Sequence, residues 1–338
     1  MNNSSFEDIL AFSQIEKYLS SEEKDSLLRK MNTDLQTVNE RLVGKRKEDE
    51  FLLILLFFDV LENITGFDEG ISKIGNNTAS SDFVLELKNG MKFFLEIKHT
   101  KNIKFKISGG NLKRKIEYAK SLGMDLFFAI SLNGVWMLFP SVYLEEKGGI
   151  ITLSDWNYSQ FDNLLETYSY IFPPGIEIRS IYSKKRDDGI GIFHKEYGEL
   201  ISYELRYMGR KIIRVKGKNS SSKIYSIILE ALNDRLSSRK RDVRQNDDVT
   251  VIVEYDNGEE GIDNSGYNII SEYLFLLAPV YHTGFGEENE RFDAIDIVNA
   301  LKSDMDIPRI SKEHVRGIIN KLVNEGIPIR YLKNGKIY

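Results

Sequence analysis

The stretch Ser81-Asp-Phe-Val-Leu-Glu-Leu-Lys-Asn-Gly-Met-Lys-Phe-Phe-Leu-Glu-Ile-Lys98 limits the fold more than any other, because its alternation around Asn89-Gly90 is that of a β-hairpin. Its register follows from side-chain parity. A two-residue loop would set Phe83 against Glu96 and Leu85 against Phe94, mixing polar and apolar groups on each face, and a one-residue slip turns every side chain over. A three-residue loop, Lys88-Asn89-Gly90 with the glycine in a left-handed bulge position, instead pairs Phe83 with Leu95, Leu85 with Phe93 and Leu87 with Met91. One face is then wholly apolar. The other carries Asp82 beside Glu96, Val84 beside Phe94 and Glu86 beside Lys92, with Lys98 on the same side. An Asp facing a Glu destabilises a sheet unless a counter-charge is close, either the Lys98 ammonium or a bound divalent cation.

What flanks the hairpin fixes the fold class. From Phe6 to about Gly66 apolar residues recur at three and four positions (Ile9, Phe12, Ile15, Tyr18), which predicts a helical lead-in. After the hairpin come an amphipathic helix, Leu112 to Leu122, stopped at Gly123, and strands at Leu126 to Ser131 and Gly134 to Phe139. Helix, strands, helix and strand in this order predict an α/β sandwich.

The chain has no cysteine and 4 histidines, so a metal at the hairpin must be held mainly by oxygen, which suits Mg²⁺ or Mn²⁺. The longest apolar run, Phe51 to Phe58, is far short of the ~20 residues that span a bilayer, and no secretory signal opens the sequence. The expectation is a cytoplasmic protein with no membrane partner. A net charge of -5 argues against a uniformly basic nucleic-acid binder, so any such surface must be local.

Asp82 with the triplet Glu96-Ile97-Lys98 resembles the PD-(D/E)XK nuclease superfamily, the fold of restriction endonucleases and archaeal Holliday junction resolvases. Gly44-Lys-Arg-Lys-Glu48 has the Gly-x-x-x-Glu form seen in resolvase-like members, and the resemblance runs from about Gly44 to Phe139. Ser81 stands where the motif's name has proline, and the polar residue often found at the start of the next helix is Asn111 or Lys113. The resemblance implies a restriction endonuclease-like α/β fold and Mg²⁺ or Mn²⁺ held by Asp82, Glu96 and the Ile97 carbonyl. Glu48 would lie nearby as an outer or second-metal carboxylate, with Asp49 and Glu50 as alternatives, and Lys98 would position or help deprotonate the attacking water. His99 is expected to pack.

Lys101, Lys104, Lys113, Arg114 and Lys115 form a basic stretch beyond the hairpin, read as a phosphate-backbone track, with Lys120 on a solvated face. A second cluster, Arg235, Arg239, Lys240, Arg241 and Arg244, fits phosphate binding and solvation equally well. Pro173-Pro174-Gly175 marks a boundary, Asp234 to Asp248 and Asp256 to Gly266 read as loops or linkers, and the order of elements from Phe292 resembles a winged helix. Its recognition helix starts at Ser311, with a core stripe of Val315, Ile318, Ile319 and Leu322 and with Lys312 and Arg316 exposed to DNA. The expected units are a lead-in over 1–43, a nuclease domain over 44–174, a β-rich or α/β unit over 175–290 and a winged helix over 291–338.

Together these imply a metal-dependent DNA endonuclease acting on double-stranded or branched DNA in restriction, phage defence, recombination or transposition. One site per chain and two strands to cut favour a homodimer. The rivals are a non-catalytic DNA-binding regulatory protein on a nuclease scaffold, and an RNA nuclease.

Overall fold

The computed structural model describes residues 6–67, 81–132, 134–186, 188–234, 239–246, 248–256, 267–283, 310–333 and 336–338. Helices α1 (Phe6–Ile15), α2 (Ser21–Lys30) and α3 (Leu35–Phe57) lead in. A capping box between Ser20 and Glu23 opens α2, and the Asp34 carboxylate accepts from the Thr37 N–H to open α3. α3 runs through Gly44 unbroken, so the boundary expected there falls inside one helix. The helical pattern stops before Gly66, however. Asp59 turns the chain at φ 54°, and Leu61–Gly66 is strand β1, paired antiparallel to β2. Of β1 only Leu61 is buried, so the strand has no apolar alternation and is held by its pairing.

β2 (Phe83–Leu87) and β3 (Lys92–Thr100) make the expected hairpin, with Phe83 opposite Leu95, Leu85 opposite Phe93 and Glu86 opposite Lys92. The Leu87 N–H donates to the Met91 carbonyl at 2.8 Å, and Gly90 has φ 84°, a conformation that a Cβ disfavours. After β4 (Lys104–Lys106) and α4 (Gly109–Ser121), β5 (Asp125–Leu132) lies parallel to β3 and β6 (Val135–Pro140) returns antiparallel. The sheet order is β1-β2-β3-β5-β6. Parity sorts its core, since Leu85, Phe93, Leu95 and Ile97 join Phe51, Ile54 and Leu55 of α3, whereas Phe94, Phe128 and Ile130 join Leu112, Ile116 and Ala119 of α4. The predicted α/β sandwich is present.

α5 (Ser141–Glu146), β7 (Ile150–Thr152), α6 (Phe161–Leu165) and β8 (Ser169–Phe172) follow. A six-stranded antiparallel sheet is then built from β9 (Ile176–Ser183), β10 (Phe193–His194), β11 (Gly198–Tyr207), β12 (Arg210–Lys216), β13 (Arg239–Gln245) and β14 (Val249–Asp256), with α7 (Ser220–Asn233) against β11 and β12. β13 corrects the expected linker. It pairs with β14 from Arg239–Asp256 to Gln245–Thr250, and its charged composition is that of a sheet edge.

β15 (Asn268–Ser271) leads into α8 (Glu272–Thr283), and α9 (Lys312–Asn324) leads into the hairpin of β16 (Arg330–Lys333) and β17 (Lys336–Ile337). β15 and β16 flank β8, so the hairpin expected as a wing is bonded to a strand that lies before Pro173 in the chain. One buried core runs from Phe51 through Phe161, Ile178 and Leu205 to Tyr273, Val315 and Leu322. The helix predicted from Phe292 to Ser303, the Asn334-Gly335 turn and Arg235 lie outside the described residues. Among the described residues no helix is long and apolar enough to cross a membrane.

The joint around β8 is polar inside. Asp162 accepts from the Thr167 hydroxyl at 2.9 Å and from the Ser169 hydroxyl, which also meets Ser271. Burial pushes the Asp162 carboxyl from 3.8 up to about 6, Ser169 and Thr167 pull it down, and Glu272 pushes it up again. An acid that holds its proton more tightly when folded stabilises the fold below the unfolded value and loses that contribution as the pH rises through the folded one. Unfolding free energy is therefore expected to lose on the order of 2–3 kcal/mol between pH 4 and 6.5 through this group. Denaturant titrations across that range would show it as a slope that Asp162→Asn flattens. Equal slopes in the two proteins would refute the assignment.

Candidate active site

Asp82 directly precedes β2, and its Oδ2 accepts the Ile97 N–H at 2.6 Å, in place of a ladder bond at the end of the hairpin. A strand residue's N–H and C=O point to the same side, so the Ile97 carbonyl is also directed toward the side of Asp82. Glu96 is 1% exposed. Its Oε1 lies 2.6 Å from Lys98 Nζ, which is 3.9 Å from Asp82 Oδ2, and its Oε2 lies 2.7 Å from Lys115 Nζ. The counter-charge demanded by the Asp82–Glu96 juxtaposition is thus Lys98, joined by a lysine from another element.

Burial pushes the Asp82 carboxyl up to about 6; Lys98 opposes the rise, while Glu96 and Glu48 add to it. Burial works against the Lys98 ammonium, but the Glu96 and Asp82 carboxylates outweigh it and hold its pKa above the ordinary lysine value. Both shifts describe one compact cluster of opposed charges.

Lys115 was expected on the phosphate track and is instead largely buried against Glu96. Ser108 caps α4, whose buried stripe is Leu112, Ile116 and Ala119. Lys115 comes three residues after Leu112 and four before Ala119, so it flanks that stripe and its ammonium reaches the polar face of β3. The helical phase was the available signal. Lys101, Lys104, Lys113 and Arg114 are exposed, with Lys113 3.8 Å from Glu117.

Glu48 and Lys98 line a cleft of about 940 Å³ between α3 and the end of β3; Gln36, Asn39, Gly44 and Lys47 form the α3 wall. Of the alternatives to Glu48, Glu50 is occupied structurally, accepting from Trp136 Nε1 at 2.8 Å and pairing with Lys47. His99 lines the same cleft, and burial together with Lys47 lowers its pKa. Lys312 and Arg316, expected to meet DNA, turn toward the protein. Lys312 donates to the carbonyls of Leu165 at 3.2 Å and Glu166 at 2.9 Å, and Arg316 grips buried Glu272 through two bonds of 2.9 Å.

The donor set fits a hard divalent cation, since Asp82, Glu96 and the Ile97 carbonyl offer oxygen only. Among the described residues no cluster of three or more His, Asp or Glu side chains is spaced to hold a metal, so two carboxylates and a carbonyl are the set available.

Helix, hairpin, crossover helix and parallel strand follow in this order, with an acid–acid–lysine cluster at the hairpin's open end. Residues 72–166 match the archaeal Holliday junction resolvase family, Hjc. Asp82, Glu96, Ile97, Lys98 and Lys115 all lie within this Hjc-like segment, and Glu48 lies upstream of it. The nuclease-type fold expected from the hairpin is borne out there. Among solved structures, the Holliday junction resolvase of the archaeal hyperthermophile Archaeoglobus fulgidus is 19% identical over 34% of this chain and 93% of its own, with a TM-score of 0.29. No curated protein matches.

Proposed function

We propose that this chain is a metal-dependent endonuclease that cuts the backbone of branched DNA. The observation that carries it is the convergence of Asp82, Glu96 and Lys98 in a Hjc-like segment, with Lys98 also lining a cleft that holds Glu48. Asp82, Glu96 and the Ile97 carbonyl would hold Mg²⁺ or Mn²⁺, which when bound polarises a phosphate and lowers the pKa of water. Lys98, an ammonium between Glu96 and Asp82, positions the attacking water and offsets charge that builds on the phosphate oxygens. Lys115 orients Glu96 from behind, and Glu48 adds a carboxylate on the cleft side. Lys101, Lys104, Lys113 and Arg114 track the phosphate backbone, and two copies of the chain would supply one site per strand.

The test is incubation of the full chain with a synthetic four-way junction, the matching linear duplex and a single-stranded RNA, each with Mg²⁺, Mn²⁺ or EDTA. Cleavage of the junction in preference to the duplex, abolished by EDTA, is expected. A protein that binds the junction yet leaves it whole under every condition would instead be a DNA-binding protein on a nuclease scaffold.

A further inference from the structure

Gly44 is out of place by every local criterion. It sits inside a 23-residue helix, with no positive φ to require it, although glycine is the poorest helix former after proline. Nor does packing require it, because a Cβ built at Gly44 would meet no atom within 4 Å among the described residues. Glycine is the residue that lets a backbone lie close to a ligand, since it carries no side chain to hold the ligand off. The space in question is the cleft. Gly44 lines it with Gln36 and Asn39 on one side along α3 and Lys47 and Glu48 on the other, facing Lys98 and Lys101 at the end of β3.

We propose that the N-terminal half of α3 is the second wall of the substrate groove, and that the sugar-phosphate backbone of the bound nucleic acid passes against the helix at Gly44. This rests on the nuclease reading and extends it, because it gives part of the lead-in a substrate-binding role. The chemistry of the wall fits such a strand. The amides of Gln36 and Asn39 offer donors and acceptors to sugar and phosphate oxygens, exposed Lys101 supplies positive charge, and the bare helix backbone at Gly44 lets the strand lie near Glu48 and Lys98. Gly44 is in this account a positioning residue. A side chain there would hold the strand away from the acids and lysine of the cluster.

The proposal makes stability and function move in opposite directions. Gly44→Ala is expected to raise Tm by about 1–2 °C, because alanine is the better helix former and the site is open. It should nevertheless weaken binding to a synthetic four-way junction, measured in EDTA by fluorescence anisotropy, by severalfold. Gly44→Leu should leave Tm at or above the wild-type value and weaken junction binding and Mg²⁺-dependent cleavage about thirtyfold or more, the effect of ~2 kcal/mol. Asn39→Ala, exposed on the same wall of the helix, should likewise raise Tm slightly while weakening binding. If the wild type cleaves and Gly44→Leu binds and cleaves equally well, this proposal fails and the nuclease reading stands. A lowered Tm in Gly44→Ala would show that the face is not open, and would also overturn it. A wild type that neither binds nor cuts DNA ends both readings.

Discussion

Lys98→Met, which keeps most of the side chain's length and removes its charge, is expected to lower the rate of metal-dependent cleavage about a thousandfold in a protein that stays folded and keeps its DNA affinity. The magnitude is that of removing one charged group aimed at a developing oxyanion or at the attacking water. Folding should survive because Glu96 keeps its second ion pair, Oε2 to Lys115 at 2.7 Å, and so is not left uncompensated in the core. Single-turnover cleavage of a junction at saturating protein separates the two quantities. A rate within tenfold of wild type would remove Lys98 from the chemistry.

Lys115 gives the control that geometry suggests. It touches Glu96 from the α4 side, whereas Lys98 stands between Glu96 Oε1 and Asp82. A residue that acts by orienting a metal ligand shows itself first in metal affinity. Lys115→Met is accordingly expected to raise the Mg²⁺ concentration for half-maximal cleavage about tenfold, with a smaller loss at saturation. If both variants lost rate equally at saturating Mg²⁺, the division of labour between the two lysines would be wrong.

The hairpin was legible in the sequence because parity has two answers and only one of them gives an apolar face; the structure has that register, Phe83 opposite Leu95 and Leu85 opposite Phe93. Asp82, Glu96 and Lys98 came together with it. β1 was not legible, because only Leu61 of its six residues is buried and what holds it is pairing with β2, which leaves no trace in the local pattern. β13 was hidden for a similar reason, as an edge strand of mostly charged residues has the composition of a loop. At the C-terminus, the wheel of α9 gave the core stripe of Val315, Ile318, Ile319 and Leu322 correctly. It could not reveal that a buried carboxylate from α8 waits beside that stripe. Arg316 therefore looked free for DNA when its partner, Glu272, lay 44 residues away in sequence.

That pair carries the largest expected effect on stability. Glu272 is wholly buried at the start of α8, held by Arg316 Nε and Nη2 at 2.9 Å each and by the Tyr170 hydroxyl at 3.0 Å. The Arg316 guanidinium also lies over the Tyr168 ring, 4.4 Å from its centroid. Arg316→Ala removes both oxygens' charged donor and leaves a carboxylate in the core, so the protein is expected to lose about 3 kcal/mol of unfolding free energy, the lower end of the range because the guanidinium is partly exposed. Arg316→Leu alone should cost a similar amount. Combined with Glu272→Leu, which removes charge and partner together, it should recover most of that loss; a double-mutant cycle of the two leucine variants in denaturant reads the coupling energy directly. The same variants judge the role of α9. If Arg316 locks α9 to the start of α8 through Glu272, junction affinity at a temperature where Arg316→Ala remains folded should match the wild type. A uniform weakening on all DNA substrates, with a shallower salt dependence and no loss of stability, is what a phosphate-contacting arginine would give.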